Sequence, residues 1–205
     1  MKLLIVSDIH ANPLITEQRK AKIKQLMEYC EQKEKEDYQV ILAGDILDVL
    51  EFGIRKLLAD DFCRNVWAWA NERERLRGNH DNEYYLPKFK IIDGIYIAHG
   101  HQWDYLWSKI PIYRFPLPDW LIRKYRTPAK KKGQLLDYHL ATAQIEYEAM
   151  KFCIKKGYRA CLFGHTHSPF TLKREGYILA NSGDLVDSFS FLKIDNETFD
   201  LCILH

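Results

Sequence analysis

The sequence predicts an α/β fold in a single domain, and three observations lead to it. Apolar segments at 3–6 and 39–43 are typical of buried strands, and the long stretch between them has apolar residues at helical spacing. The same order of helix and strand returns at 134–156 and 158–163, and such alternation indicates parallel strands covered by helices. Side chains that bind metals follow directly after several apolar segments, which is where sheets of this class place their ligands.

Length and composition narrow the class of protein. A chain of 205 residues can bury a substantial core in one domain and still carry one insertion. A net charge of +2 without charged tails gives no strong nucleic-acid signal. The five cysteines form no CxxC pair, which favours reduced core thiols over a disulfide framework or a thiolate metal site. The apolar start is too short for a signal peptide or a transmembrane segment, so we expect a cytoplasmic protein that associates with a membrane at most peripherally.

The first strand ends in Asp8 and His10. Residues i and i+2 of an extended segment point the same way, so these two side chains can converge on one ion. A helix is expected from about residue 12 to residue 34. Its predicted buried stripe consists of Leu14, Ile23, Leu26, Met27 and Cys30.

The second strand leads into Gly44-Asp45-Ile46-Leu47-Asp48. By itself, Asp45 would be interpreted as a helix cap or a turn residue. The same order, an apolar strand followed by metal-ligand side chains, recurs elsewhere in the chain, so we expect Asp45 to lie between two metal ions. The other clusters are Ser7-Asp8-Ile9-His10, Gly78-Asn79-His80-Asp81, His99-Gly100-His101 and Gly164-His165-Thr166-His167.

The middle of the chain supplies the next two clusters. Helical spacing covers 53–71, and the strongly charged segment 72–77 is expected to be the strand that precedes Asn79 and His80. Segments 88–92 and 95–98 predict a hairpin across Asp93-Gly94, because this dipeptide is a strong two-residue turn signal. That hairpin leads to His99 and His101.

Between residues 102 and 133 the composition changes. Aromatic residues and prolines are interleaved with basic residues there, and we interpret the stretch as a lid inserted into the single domain of residues 1–205. The alternative is that these aromatic residues build a small subdomain core or a homodimer contact. If the stretch is a lid, the side chains expected over the substrate are Trp103, Trp107 and Trp120, with Arg123, Lys124 and Arg126 near a phosphate.

The C-terminal third predicts a helix, a strand and four further strands. The helix at 134–156 ends at Gly157, a residue suited to a C-cap, and the strand at 158–163 leads to His165 and His167. Antiparallel strands are expected at 170–173, 176–180, 189–195 and 198–204, with a turn at Asn196.

Six of the eight histidines fall in the five clusters. Imidazole together with carboxylate and amide oxygen, without thiolate, suits divalent transition metals. We expect manganese, with iron, zinc, nickel or cobalt as alternatives. Two such ions about 3.5–4 Å apart would hold a bridging water or hydroxide and clamp a phosphoryl group for in-line attack.

In this order, the motifs DxH, GDxxD, GNHD, a histidine of HGH type and GHTH resemble the calcineurin-like metallophosphoesterase family. The resemblance covers the chain from Asp8 to His167 and implies a four-layer α/β-β/α sandwich of two mixed sheets flanked by helices. It also implies that His80, oriented by Asp48, stabilises the transition state or protonates the leaving oxygen. The implied ligands are Asp8, His10, Asp45 and His167 for the first metal, and Asp45, Asn79, His99 and His165 for the second.

Within the family, the segments 164–169 and 180–186 and the insertion after His99 look like the UDP-2,3-diacylglucosamine pyrophosphatase branch. That branch implies hydrolysis of a nucleotide-linked lipid diphosphate. Two departures are His80, where that enzyme usually has Arg, and His101, where it has Asp. The residues expected to contact a phosphate-containing small-molecule or lipid-linked substrate are Asn12, His101, Arg123, Lys124 and Arg126.

Three functions follow from these observations. The leading one is a dinuclear metal hydrolase of a phosphomonoester, phosphodiester or pyrophosphate. A nuclease is the second, although the near-neutral charge and the lack of an extra domain for gripping DNA count against it. A non-catalytic scaffold is the third, but scaffold relatives typically lose the catalytic histidine or several ligands, and here every such position is filled.

Overall fold

In the computed structural model, two five-stranded mixed sheets pack face to face with helices on their outer faces, which confirms the predicted fold class. The structure describes residues 1–81, 85–104 and 135–205, and for 135–141 it describes the backbone alone. The helices are α1 (Glu17–Glu34), α2 (Val49–Phe52), α3 (Ile54–Ala59), α4 (Asp61–Asn71), a 3-10 turn (His101–Trp103) and α5 (Leu135–Lys156). The strands are β1 (Lys2–Val6), β2 (Gln39–Leu42), β3 (Glu74–Arg75), β4 (Phe89–Ile92), β5 (Ile95–Ala98), β6 (Ala160–Phe163), β7 (Phe170–Arg174), β8 (Tyr177–Asn181), β9 (Ser190–Asp195) and β10 (Thr198–Ile203).

The strand order explains how the clusters meet. The first sheet has the order β10-β9-β1-β2-β3, and the second has the order β4-β5-β6-β8-β7. Strands β1, β2 and β3 are parallel to one another, as are β5, β6 and β8. The carboxyl ends of parallel strands lie at the same edge of a sheet, so each sheet brings its clusters to one rim.

The alternation of side chains along the strands builds the layers. In β1, Leu3 and Ile5 face the second sheet, where they pack in a core cluster with Ile97 and Leu162. Leu4 and Val6 face the opposite way, into a cluster with residues of α1 and α4. On the far side, α5 packs on the outer face of the second sheet. The result is four layers in the order helix, sheet, sheet, helix.

Two helix predictions need correction. Helix α1 begins at Glu17 because Thr16 is its N-cap, with the Thr16 hydroxyl accepting from the Arg19 backbone N at 3.2 Å. Leu14, predicted to be buried, therefore lies in a turn and is 79% exposed. Where a single helix was expected over 53–71, the structure has two helices, α3 and α4, and the short helix α2 precedes them. Helix α4 begins separately because Asp60 caps it, accepting from the Cys63 backbone N at 2.9 Å.

The predicted hairpin and C-terminal strands are confirmed, with one addition. Strands β4 and β5 pair antiparallel, and both turn residues, Asp93 and Gly94, have positive φ. The tail forms two antiparallel pairs, β7 with β8 and β9 with β10, but the pairs join different sheets. Strand β8 also pairs parallel with β6, which the sequence pattern did not indicate.

The charged segment at 72–77 contributes only a two-residue strand, β3, at the edge of the first sheet. The side chains of Arg73 and Arg75 are largely buried, and their charges are accommodated by contacts: Arg73 donates to Glu34 at 2.6 Å and Arg75 donates to Asn71 Oδ1 at 2.6 Å. The guanidinium groups of Arg73 and Arg75 lie over the rings of Trp69 and Trp67, at 4.4 and 4.2 Å from their centroids.

Most of the predicted lid, residues 102–133, lies outside the described residues. Among the residues that are described, no helix combines the length and the apolar character that a membrane crossing requires.

Candidate metal centre

The rim where the strands end has an unusual backbone. Asp8, His10, Asp45, His165 and His167 all have positive φ, between 48° and 66°. This left-handed conformation is uncommon for residues with a Cβ, although Asp and His tolerate it better than most. It costs about 1–3 kcal/mol per residue and is retained mainly at functional sites. These five residues are all among the predicted metal ligands, so the strain coincides with the predicted centre.

Two glycines allow the ligand-bearing turns to approach one another. A Cβ on Gly78 would lie 2.0 Å from Asp45 Oδ1, and a Cβ on Gly164 would lie 2.0 Å from Ser7 Oγ and 2.2 Å from Asp8 Oδ2. No side chain fits at such distances, so glycine is required at both positions. The two residues connect the clusters into one site.

Asp8 lies at the middle of the histidine ligands. Its Oδ1 is 3.2 Å from His167 Nε2, 3.6 Å from His10 Nε2 and 3.9 Å from His99 Nε2. Two ligand atoms about 2.1 Å from one tetrahedral ion lie about 3.4 Å apart, so this spacing matches that of metal ligands. The other oxygen, Oδ2, accepts from the backbone N of His165 at 2.9 Å, which holds the carboxylate in place.

Asp45 lies between the two histidine sets. Its Oδ2 is 3.2 Å from His99 Nε2 and 3.8 Å from His10 Nε2. Its Oδ1 accepts from the backbone N of His80 at 2.7 Å. The candidate metal groups are Asp8, His10 and His167, then Asp8, Asp45 and His99, and also His10, Asp48 and His80. Asp8 therefore belongs to two groups, whereas the family pattern assigned it to the first metal alone.

The hydrogen bonds of two histidines determine which ring nitrogen can bind an ion. Nδ1 of His10 lies 2.7 Å from Asp48 Oδ1, and Nδ1 of His99 lies 2.9 Å from the carbonyl oxygen of Ala43. A proton on each Nδ1 makes these contacts favourable, and Nε2 is then the nitrogen that an ion can bind. In both residues Nε2 is the nitrogen directed at the carboxylates, which is the arrangement expected of metal-ligating histidines.

The remaining predicted ligands surround this group. Asn79 Oδ1 lies 2.9 Å from His99 Nε2, so these two second-metal candidates are adjacent. His165 has its ring 5.1 Å from the ring of His99, and its Nε2 is 3.2 Å from Asp104 Oδ2. Its Nδ1 is thus the nitrogen that would face an ion. All seven predicted ligands meet at the rim.

Asp48 contacts more than the sequence indicated. Its Oδ1 lies 3.0 Å from His80 Nδ1 as well as 2.7 Å from His10 Nδ1. Its Oδ2 accepts from the Asn12 side-chain amide at 2.8 Å. Asp48 therefore orients both a candidate ligand and the candidate catalytic histidine. The prediction that it orients His80 agrees with this geometry, but its contact with His10 was not anticipated.

Three carboxylates near the site were missed by sequence reasoning. Asp81 accepts from the backbone N of Asp45 at 2.9 Å and of Gly78 at 2.8 Å, so it fixes the turn that carries Asp45. Asp104 contacts His165, and Asp184 Oδ2 lies 4.0 Å from His167 Nδ1. Asp81 and Asp184 lie within motifs noted in the sequence, and that position was the signal that could have identified them as site residues.

Charges across the rim stabilise one another. Burial alone would raise the pKa of Asp8 and Asp45, but nearby histidines, His99 foremost, hold both values well below the ordinary one. Burial likewise would lower the pKa of His99, yet the Asp45 and Asp8 carboxylates raise it to about 9. Burial and the charge of Asp45 raise the pKa of Asp81 to about 6. The rim is thus built for ionised carboxylates at neutral pH.

Two of the predicted substrate contacts have other roles in the structure. Asn12 uses its amide NH₂ on Asp48 and on the His10 carbonyl, and its Oδ1 accepts from the Leu14 backbone N at 2.9 Å, so it is a positioning residue. His101 lies with its ring 5.4 Å from the His99 ring, and burial followed by the charge of His99 lowers its pKa to about 3. A neutral imidazole attracts phosphate weakly.

The side chains that were expected to cover the substrate from the lid are not seen over the metal centre among the described residues. Trp103 packs against Tyr96, Phe152 and Phe163 in the core of the second sheet, so it does not cover the site as expected. The other residues predicted there lie outside the described part of the chain: Trp107, Trp120, Arg123, Lys124 and Arg126.

The donor set fits a divalent transition metal. Asp8 Oδ1 and His10 Nε2 are buried and have no hydrogen-bond partner among the described residues, although they lie 3.6 Å apart. Leaving such atoms unsatisfied is costly, and a cation coordinated by both would remove that cost. Carboxylate, imidazole and amide oxygen without thiolate are the ligands that manganese, iron and zinc accept.

Comparison with known proteins agrees with this chemistry. A family model described as calcineurin-like phosphoesterase matches residues 1–169. No curated protein matches the chain. Among solved structures, a metallophosphoesterase from Sphaerobacter thermophilus is 16% identical, with a TM-score of 0.52 and coverage of 98% of this chain and 88% of its own. A Vps29 variant from Entamoeba histolytica is 18% identical, with a TM-score of 0.50 and coverage of 98% and 90%. The phosphoesterase Yfce from E. coli is 17% identical, with a TM-score of 0.49 and coverage of 99% and 93%.

Proposed function

The chain belongs to the calcineurin-like phosphoesterase family, and on that basis we propose that it is a phosphoesterase that uses two divalent metal ions. The observation that carries the proposal is the buried Asp8 Oδ1, which has no hydrogen-bond partner among the described residues and lies within 3.9 Å of three histidine nitrogens. A buried carboxylate oxygen with this surrounding is explained by a bound cation and not by core packing.

Seven residues would hold the ions. The first set is Asp8, His10, Asp45 and His167, and the second is Asp45, Asn79, His99 and His165. When bound, such ions polarise phosphoryl oxygens and acidify the attacking water. The protein supplies the orientation, since Asp48 and the Ala43 carbonyl direct the histidine nitrogens and Asp81 fixes the turn of Asp45.

His80 is the proton donor in this proposal. Its contact with Asp48 is made through Nδ1, so Nε2 is on the other side of the ring, and His80 lines the open hollow above the ligands. Asp48 stabilises the protonated imidazole, from which Nε2 donates a proton to the leaving oxygen of the ester. Because its ring is not required as a ligand, His80 can act on the substrate while the neighbouring Asn79 contributes to the centre.

The substrate class is a phosphate-containing small molecule or a lipid-linked phosphate. A UDP-2,3-diacylglucosamine pyrophosphatase-like activity is the finer alternative, and the motifs at 164–169 and 180–186 support it. In the second of these, the Asn181 side-chain amide donates to the Gly164 carbonyl at 2.8 Å and so holds the turn that carries His165. This role is structural and fits any phosphoester substrate, so it does not select the lipid. A homodimer and a cytoplasmic location remain predictions.

The test is hydrolysis of a panel by manganese-loaded protein. The panel holds an aryl phosphate monoester, an aryl phosphodiester, a nucleoside diphosphate ester and a single-stranded oligonucleotide, with Asp45→Asn as the inactive control. We expect hydrolysis of at least one small ester and none of it in the control. Cleavage of the oligonucleotide alone would favour a nuclease. Two bound metals without hydrolysis of any member would favour a scaffold.

A further inference from the structure

A second hollow adjoins the metal centre. Its volume is about 530 Å³, within the range of small-molecule sites, and its apolar wall consists of Leu14, Phe52, Val186 and Phe189. Val186 and Arg19 line both this hollow and the one above the metal ligands, so the two are adjacent. We propose that this leaving-group hollow binds an aromatic, uncharged leaving group of the phosphoester, a proposal that rests on the phosphoesterase function.

The position of the hollow connects it to the proton donor. Asn12 lines it, and the side chain of Asn12 links two parts of the site, since its amide donates to Asp48 and its Oδ1 accepts from the Leu14 backbone N. Asp48 in turn contacts His80. The leaving group is the part of the substrate that receives the proton of His80, and this hollow adjoins the one that His80 lines.

The apolar residues of the wall are held in unfavourable states. Leu14 is 79% exposed, which places a large apolar side chain in water beside the site. Phe189 has φ 49°, a conformation that is a genuine outlier for a bulky residue. The Phe52 and Phe189 rings are only partly buried against the core. Strain and exposed apolar surface in one place beside a catalytic centre indicate a binding surface.

The charges of the hollow select a neutral group over a second phosphate. Arg19 is its one cationic lining residue among the described residues, and two of the three nitrogens of its guanidinium donate to backbone carbonyls. Its Nε donates to the Leu185 carbonyl at 2.9 Å, and its Nη2 donates to the carbonyls of Ile9 and His10 at 2.8 and 3.2 Å. Glu51 adds an acidic group to the same wall. A phosphate placed there would meet a carboxylate.

The experiment compares two esters whose leaving groups are similarly acidic but differ in apolar area, phenyl phosphate and 1-naphthyl phosphate. With manganese-loaded wild-type protein we expect a lower KM for the naphthyl ester. Leu14→Ala should raise that KM about fivefold without changing kcat, because about one to two buried methylene groups of contact are lost. Phe52→Ala should act in the same direction. The control is Ile154→Ala on α5, the helix on the outer face of the second sheet, where the side chain is 54% exposed and does not line the hollow; it should change neither value.

A binding measurement separates this proposal from the phosphoesterase function. Calorimetric titration of metal-free protein with 1-naphthol should show binding that Leu14→Ala weakens about fivefold and Ile154→Ala leaves unchanged. Leu14-dependent binding without hydrolysis of either ester would support the hollow and refute the function. Hydrolysis of both esters with no dependence on Leu14 or Phe52 would refute the hollow. A preference for a diphosphate substrate, insensitive to Leu14→Ala, would also refute it, since a second phosphate would then occupy the space.

Discussion

At the rim, the first sheet ends its strands in the carboxylates Asp8, Asp45 and Asp48 together with His10, whereas the second sheet ends its strands in the imidazoles of His99, His165 and His167. Asp8 and Asp45 each lie 3.2 Å from a histidine of the second sheet, while Asp48 contacts His10 of its own sheet at 2.7 Å. Neither sheet carries a complete ligand set by itself. The division teaches that metal binding and the packing of one sheet on the other are coupled in this protein.

The comparison of the two sheets predicts the largest effect for Asp45, the carboxylate proposed to bind both ions. Asp45→Asn should lower kcat/KM by roughly 10⁴ or more, because both ions lose a charged ligand that stabilises the transition state. Elemental analysis of reconstituted protein should show that both metals are weakened. His167→Gln, in the second sheet, should weaken one metal only. Full retention of one metal in Asp45→Asn would contradict the shared position of Asp45.

The next effect concerns a residue that belongs to neither ligand set. His80→Ala should reduce turnover by roughly 10²–10⁴, the usual range for a general acid, while both metals are retained. The loss should be smaller for an aryl ester, whose leaving group needs less help from a proton. Measurement of metal content alongside kcat for an alkyl and an aryl ester checks this. If the metals leave with the histidine, His80 is a ligand.

Metal removal should lower the thermal stability of the protein without unfolding it. Because Asp8 and Asp45 keep cross-sheet histidine contacts without metal, chelated protein should remain folded. A metal present at a hundredfold excess over its Kd adds about 2.7 kcal/mol of stability per site, so removal of both metals by chelation should lower Tm by about 10–20 °C. Thermal scans with and without chelator measure it, with Asp45→Asn, which removes a ligand of both ions, as the control that should show little shift. Unfolding on chelation would show that the contacts between the two sheets are too weak to keep the protein folded without metal.

The smallest effect tests the close approach of the sheets. Gly164→Ala places a Cβ 2.0 Å from Ser7 Oγ, so we expect a loss of about 2 kcal/mol and a fall in Tm of about 4–8 °C. Gly176→Ala is the matched control in the β7–β8 turn, where φ is +81° and a Cβ would meet nothing within 4 Å. Its backbone strain should cost about 1 kcal/mol. Equal losses in the two variants would mean that the clash at Gly164 is relieved at little cost.

The fold was largely predictable because its information is local. Apolar strands with ligand side chains at their ends can be recognised in the sequence, and parallel pairing then brings those ends together at one rim. The same reasoning predicted Asp8, His10, Asp45, His99 and His167 as ligands, and the structure brings their side chains together at that rim. Their left-handed backbone could not be read from the sequence, because it results from the turns pressing on one another.

The residues that sequence reasoning misjudged depend on contacts between distant positions. Asn12 was expected to touch substrate, and its further contact, an amide that donates to Asp48 from 36 residues away, was not foreseen. Asp104 is paired with His165 across 61 residues, a relation with no periodic signature. Leu14 was placed on a helix face because the apolar spacing fits, but the Thr16 cap decides where the helix begins. The hydrophobic pattern therefore did not predict which residue caps a helix. It also did not predict contacts between residues far apart in the sequence.

Strand β3 has a consequence for how molecules of this protein behave toward one another in concentrated solution. An exposed sheet edge is a template for intermolecular strand addition and for the growth of aggregates. Here that edge consists of two residues, and its side chains are engaged sideways: Glu74 accepts from Gln39 at 2.8 Å and pairs with Lys90. A second chain that tried to extend the first sheet at β3 would gain few backbone hydrogen bonds and would have to desolvate charges, whereas the opposite edge, β10, offers six residues. The short, charged β3 strand thus protects one of the two edges of this sheet against strand addition.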